Sequence, residues 1–312
     1  MAERIVIALG GNAILTDDPT AQAQMKALDV TCDYIVPLIA AGHEVIITHG
    51  NGPQVGNLLL QQEAADSPEN PAMPLDTCVA MTQGSIGYWT MLAMRGALKR
   101  AGIKKLVQVL AMTATVSPDD PAFKHPTKPI GPFYTEDQAR ELMAANPDET
   151  YIEDSGRGWR RVVPSPEPME LPGCAGIEAL ADAGIVVICT GGGGIPVLED
   201  DKGVYGVEGV IDKDLTAEKI AETVNADHLV ICTGVDNVCV DFGKPSQRAL
   251  STISISEAER YIEEGQFPAG SMLPKVRGCM RFVQSGEGRR ATITSLECLS
   301  RLSEGAGTTI VR

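Results

Sequence analysis

The sequence predicts an α/β fold: a three-layer α/β/α sandwich with a mostly parallel central sheet and a small inserted, protruding subdomain. Three observations predict it. The runs RIVIAL, EVIITH, KLVQVLAM, GIVVICT and HLVICT are apolar almost throughout, as strands buried on both faces are. Helix-length segments alternate with them. One stretch, from Ser117 to Pro172, breaks the alternation with proline, charge and aromatic residues.

In chain order, a strand is predicted at 4–9, then a helix at about 20–41 closed by Gly42. A strand at 44–49 leads to a helix from about Pro53 to Ala65. A second helix covers about 76–101 and stops at Gly102. Strands follow at 105–112, 184–190 and 228–233, with helices before the last two. A structureless loop as long as 117–172 is uncommon in a compact domain, so this segment reads as a lid, with a helix at about 135–145 and a hairpin near 150–164. The whole chain, 1–312, is expected to form a single domain, with 117–172 inserted and about 205–312 forming a nucleotide-binding half.

Composition narrows the function. With 26 basic and 41 acidic residues the net charge is −15, which argues against a nucleic-acid or anionic-membrane surface. An anionic ligand would have to rely on a few focused cations and on backbone N–H groups. The eight cysteines lack zinc-type spacing and several sit inside apolar runs, which fits a reducing cytoplasm. No apolar run is long enough to span a membrane. The four histidines suggest no metal cluster.

Three predicted strands end in glycine-rich turns: Gly10-Gly11-Asn12, Gly50-Asn51-Gly52-Pro53 and Gly191 to Gly194. Ligands of open α/β sheets bind beyond the carboxyl ends of the strands, where glycine lets backbone N–H groups approach an anion. The chain has no P-loop motif. GNGPQVG is one residue off a dinucleotide fingerprint, and no acidic residue is well placed at the end of the next strand, which disfavours a nicotinamide dehydrogenase.

Phosphoryl transfer needs cations around the moving group. Lys128 stands in TKPIGP, stiffened by prolines. Lys213 stands in VIDKD and Lys275 in GSMLPK, both at predicted helix starts, where a lysine works against the helix dipole. Each suggests an anion shared by helix and lysine. Asp214 reads either as an N-cap or as a buried carboxylate holding neighbouring lysines. Asp212 reads as structural or as facing a metal.

ALGGNA, THGNGPQVG, HPTKPIGPFY, GRGWRRVVPSP, GGGGIPV, VIDKD and FPAGSMLPKV, in this order and spanning essentially the whole chain, together resemble the carbamate kinases of the amino acid kinase superfamily. Ala8-Leu9-Gly10 stands where other superfamily members carry a lysine, as it does in carbamate kinases. The resemblance implies an α/β/α homodimer that converts ADP and carbamoyl phosphate reversibly into ATP and carbamate. It implies Mg²⁺ carried on the nucleotide phosphates, with no metal held by the protein alone, and a reaction run towards ATP in arginine, citrulline or purine breakdown.

By the same resemblance Gly10, Gly11, Asn12, Gly50, Asn51 and Gly52 would line the carbamoyl phosphate. Lys128 would reach in from the lid, Lys213 and Lys275 would clamp the phosphates, and Asp214 would orient those lysines. Gly234, Val235, Asp236, Val238, Met272 and Pro274 would border the nucleotide beside Lys275. Cys239 stands where a tyrosine is frequent, and Arg277 and Gly278 where acidic and alanine residues are. The rival readings are a related kinase for another acceptor and a nucleotide sensor without catalysis.

Overall fold

The computed structural model describes residues 2–14, 18–154, 156–268 and 271–312, and of Asn12 only the backbone. Its elements in the first half are β1 (Arg4–Leu9), α1 (Ala21–Ala40), β2 (Glu44–His49), α2 (Gly52–Ala64), α3 (Leu75–Arg100), β3 (Val107–Leu110) and β4 (Thr113–Val116). Next come β5 (Lys128–Tyr134), α4 (Glu136–Ala145), β6 (Thr150–Glu153), β7 (Trp159–Val163) and β8 (Pro168–Glu170). The second half continues with α5 (Cys174–Asp182), β9 (Val186–Cys189), β10 (Ile195–Asp200), β11 (Gly203–Gly206), α6 (Lys213–Thr223) and β12 (His228–Cys232). It ends with β13 (Cys239–Val240), β14 (Arg248–Ala249), β15 (Thr252–Ser254), α7 (Ile255–Glu263), α8 (Met272–Gln284), β16 (Arg290–Thr294) and β17 (Thr308–Val311).

The central sheet has eight strands in the order β15-β17-β16-β12-β1-β2-β9-β3. Every pairing is parallel except β16 with β17. Both faces are covered, and β1 shows how. Ile5, Ile7 and Leu9 join a core built with α1 and α3, whereas Val6 and Ala8 join the opposite core with α5, α6 and α8. Alternate side chains of one strand point to opposite faces, so a strand buried on both sides must be apolar at every position.

A second, four-stranded sheet, ordered β11-β10-β4-β8, was not foreseen. Its strands are short and come from distant parts of the chain. Between its β4 and β8, strands β5, β7 and β6 form an antiparallel three-stranded sheet with α4. The start of α4 is fixed by a capping box, in which Thr135 accepts from the Gln138 N–H and Gln138 answers to the Thr135 N–H. This unit rests on α2 through Ile130, Val163, Val55 and Leu59, and through an ion pair of 2.7 Å from Arg161 to Glu63.

Candidate active site

Strands β12, β1, β2 and β9 are neighbours and parallel, so their carboxyl ends meet at one edge of the sheet. There the turns Gly10-Gly11, Gly50-Asn51-Gly52 and Gly191–Gly194 come together with Thr233-Gly234 after β12. A cleft of about 240 Å³ opens at this edge. It is lined by Gly50, Asn51, Gly52, Lys128, Gly192, Ile211, Asp212, Lys213, Asp214 and Lys275.

The glycine turn after β9 needs its glycines. Gly192, Gly193 and Gly194 all have positive φ, between 66° and 96°. A β-carbon on Gly192 would also stand 2.2 Å from the Asn51 amide nitrogen. Asn51 is held in turn, donating from Nδ2 to Thr82 Oγ1 at 2.9 Å. Thr216, on α6, donates to the Gly193 carbonyl at 2.8 Å, which ties the start of that helix to the turn.

The N-terminal turns of α2, α6 and α8 all supply lining residues, namely Gly52, Lys213 and Lys275. Helix starts carry unpaired N–H groups and positive potential. An anion in this cleft is therefore met by backbone donors as well as by ammonium groups.

The charges are arranged around two carboxylates. Asp214 is 3% exposed and accepts from Lys213 and, at 2.8 Å, from Lys275 Nζ. Asp212 accepts the Asp214 N–H on Oδ1 at 2.8 Å and Lys128 Nζ on Oδ2 at 2.7 Å. Burial would raise both carboxyl pKa values. For Asp214 the ammonium groups of Lys213 and Lys275 outweigh it, and for Asp212 those of Lys128 and Lys213 do, so both stay below the usual carboxylate range. Burial would likewise lower Lys275, but Asp214 raises it above an ordinary lysine.

These contacts decide one open reading. Asp212, not Asp214, caps α6, because the helix begins at Lys213. Asp212 is also paired with Lys128.

A second cleft, of about 260 Å³ and mainly apolar, is lined by Thr233, Gly234, Val235, Asn237, Cys239, Phe242, Gln266, Phe267, Pro268, Ser271 and Met272. Met272 and Lys275 stand three residues apart on α8, so the two clefts flank a single helical turn. Val235, Asn237 and Cys239 face the second cleft, whereas Asp236 and Val238 between them do not. Val238 is 1% exposed in the core, and the Asp236 carbonyl accepts from Thr294. These two residues, expected at the nucleotide, do not line this cleft.

Pro274 is half-buried in α8 and lines neither cleft. Gly10 and Gly11 end β1 at the same sheet edge but are likewise outside both linings, and the Asn12 side chain lies outside the described residues. Among the departures, Arg277 is exposed and Gly278 is buried near the Asp214 carbonyl. Gly192 belongs to the expected four-glycine turn and Asn237 to the expected stretch from Gly234 to Val238. The lining residues that the sequence reading did not single out are Ile211 in the first cleft and Thr233, Phe242, Gln266, Phe267, Pro268 and Ser271 in the second.

Comparison with known proteins agrees with this geometry. The model of the amino acid kinase family matches residues 3–295. The chain is 53% identical to carbamate kinase 1 of Enterococcus faecium over 100% of both chains. The chain belongs to the amino acid kinase family, in its carbamate kinase branch. The carbamate kinase of Lentilactobacillus hilgardii is 52% identical, over 100% of this chain and 98% of the relative. The structure of carbamate kinase from Giardia lamblia bound to AMP-PNP superposes with a TM-score of 0.88 at 43% identity, covering 99% of this chain and 98% of that one.

Proposed function

We propose that this protein transfers a phosphoryl group reversibly between carbamoyl phosphate and ADP, giving ATP and carbamate, which decomposes to ammonia and carbon dioxide. One observation carries the reading. Three lysines anchored by two carboxylates line a glycine-walled cleft, and one turn of α8 joins it to an apolar cleft of a size for a purine base.

In the ATP-forming direction a β-phosphate oxygen of ADP attacks the phosphorus of carbamoyl phosphate. A P–O bond to the nucleotide forms as the bond to the carbamoyl oxygen breaks, and carbamate leaves as an oxyanion. In reverse the attacking carbamate is already an oxyanion, so no general base is needed. Lys213 and Lys275 sit where they meet charge on the transferring phosphoryl and the nucleotide phosphates, and Lys128 reaches it from the start of β5. Asp214 fixes two of the three ammonium groups. The helix starts and the Gly50–Gly52 and Gly192 turns supply N–H donors. Gly10, Gly11 and Asn12 close the same edge of the sheet.

Segment 117–172 serves as the lid that carries Lys128, and about 205–312 as the nucleotide half, with the base in the second cleft. Both acids of the first cleft are neutralised by lysines, so the donor set fits Mg²⁺ held through the nucleotide phosphates. Such an ion offsets charge between the phosphates when bound. Met81 and Tyr88, on one face of α3, and Leu106 ahead of edge strand β3 leave apolar surface, which supports a homodimer. Among the described residues no helix is long and apolar enough to cross a membrane, and seven of the eight cysteines are buried thiols, which supports a cytoplasmic setting.

The test is formation of ATP from ADP and Mg²⁺ with carbamoyl phosphate, and with acetyl phosphate in parallel. A preference for carbamoyl phosphate is expected. ATP formed equally well from both, or from neither, contradicts the assignment.

A further inference from the structure

Asp212 does two jobs with one carboxylate. Its Oδ1 accepts the Asp214 N–H at 2.8 Å and so caps α6. Its Oδ2 accepts from Lys128 Nζ at 2.7 Å, across 84 residues of sequence and from the three-stranded sheet of the insert. It is therefore the contact that binds the first residue of β5 to the first turn of α6.

A cap needs only one oxygen, and an asparagine would supply it equally well. The second oxygen is spent on a partly buried lysine with 23% of its side chain exposed. An ammonium group has three N–H donors. With one donor on Asp212, two remain for a ligand in the cleft. Asp214 treats Lys213 and Lys275 in the same way, taking one donor from each. The carboxylates thus share one pattern, in which each lysine is fixed by a single contact that leaves most of its hydrogen-bonding capacity open.

A lysine side chain loses much rotamer freedom when it is fixed. Lys128 stands at the first residue of β5, whose subdomain packs on α2, α3 and Val210. Fixing it before the ligand arrives removes an ordering cost from the binding step.

We propose that Asp212 is a positioning residue for the phosphoryl-transfer site: it holds the Lys128 ammonium at the cleft before carbamoyl phosphate binds, and through its cap on α6 sets it against Lys213. The proposal rests on the reading of Lys128 as a contact to the transferring group.

The test uses Asp212→Asn, which keeps the cap and removes the ion pair, beside Lys128→Ala and the double variant, all in the full-length enzyme. Asp212→Asn is expected to melt within a few degrees of wild type, as a retained cap implies. Its kcat/KM for carbamoyl phosphate should fall about tenfold, the scale of one hydrogen bond to a charged group, while the KM for ADP stays within about twofold. Adding Asp212→Asn to Lys128→Ala should cost little more, because the two act through one contact. Without ligand, amide hydrogen exchange in 128–134 should quicken in Asp212→Asn.

An unchanged or increased kcat/KM in Asp212→Asn, with Lys128→Ala impaired, overturns the role of Asp212 and leaves that of Lys128 standing. Additive losses in the double variant overturn it as well. Unchanged carbamoyl phosphate kinetics in Lys128→Ala overturn both.

Discussion

Asp214 and Lys275 are 61 residues apart in the chain, and Asp214 Oδ2 lies 2.8 Å from Lys275 Nζ. The contact joins the first turns of α6 and α8, and Lys213 meets the other oxygen of the same carboxylate. One buried anion thus stabilises two cations that the helix starts alone would disfavour. Removing it leaves two ammonium groups without the carboxylate that bonds both of them. Asp214→Ala is expected to cost about 3–5 kcal/mol, the scale of breaking a buried pair by deleting one partner. Urea unfolding measures this, and a loss below about 1 kcal/mol would show that the carboxylate does not anchor the lysines.

Gly56 on α2 touches Gly131 on β5 so closely that a β-carbon on Gly56 would stand 1.9 Å from the Gly131 nitrogen. Backbone meets backbone here, so no side chain can swing aside. Gly56→Ala should push β5, and with it Lys128, away from α2, at a cost of about 1–3 kcal/mol for overpacking. We expect a lower Tm together with a raised KM for carbamoyl phosphate. A melting point and KM equal to wild type would show that this approach does not set the position of β5.

His49 is 1% exposed, donates from Nδ1 to the Gly50 carbonyl at 3.0 Å, and is pushed down to about 4 by burial. His228, also buried, is pushed down to about 3. As pH falls from about 6.5, the unfolded chain takes up protons that these rings refuse, so the fold loses stability between 6.5 and the folded values. Asp212 and Asp214 have depressed values, so their contribution is present above the ordinary carboxylate pKa of about 4 and fades only below it. Between pH 7 and pH 5 the histidines therefore dominate. His49→Gln should remove roughly half of the loss seen in wild type, about 2 kcal/mol from one and a half pH units, read as the change in urea unfolding free energy between the two pH values. An equal loss in both proteins would mean that His49 is already charged in the fold.

Much of this was legible in the sequence because it depends on local chemistry. Strands such as VIITH and HLVIC are apolar almost throughout, as burial on both faces favours. Gly192 and its neighbours announced a backbone that other residues rarely adopt. Lys213 and Lys275 stood out because they oppose the helix dipole. What stayed hidden depends on one-residue registers and on distant pairing. Asp212 and Asp214 are both good caps, and only the start of α6 at Lys213 decides between them. Asp236 and Val238 read with Val235 as one stretch, but the chain bends over 234–237, and these two residues fall outside the cleft lining. The four-stranded sheet joins Thr113–Val116, Pro168–Glu170 and two strands between 195 and 206, which no local pattern links.

The central claim is that the anchored lysines carry the reaction by stabilising charge on the phosphoryl group in flight. The most direct test is the kcat of Lys213→Ala in the ATP-forming assay. A loss of about 3–4 kcal/mol of transition-state stabilisation, a fall of about 10²–10³-fold, is predicted. A turnover within about threefold of wild type, well under 1.36 kcal/mol, would contradict it.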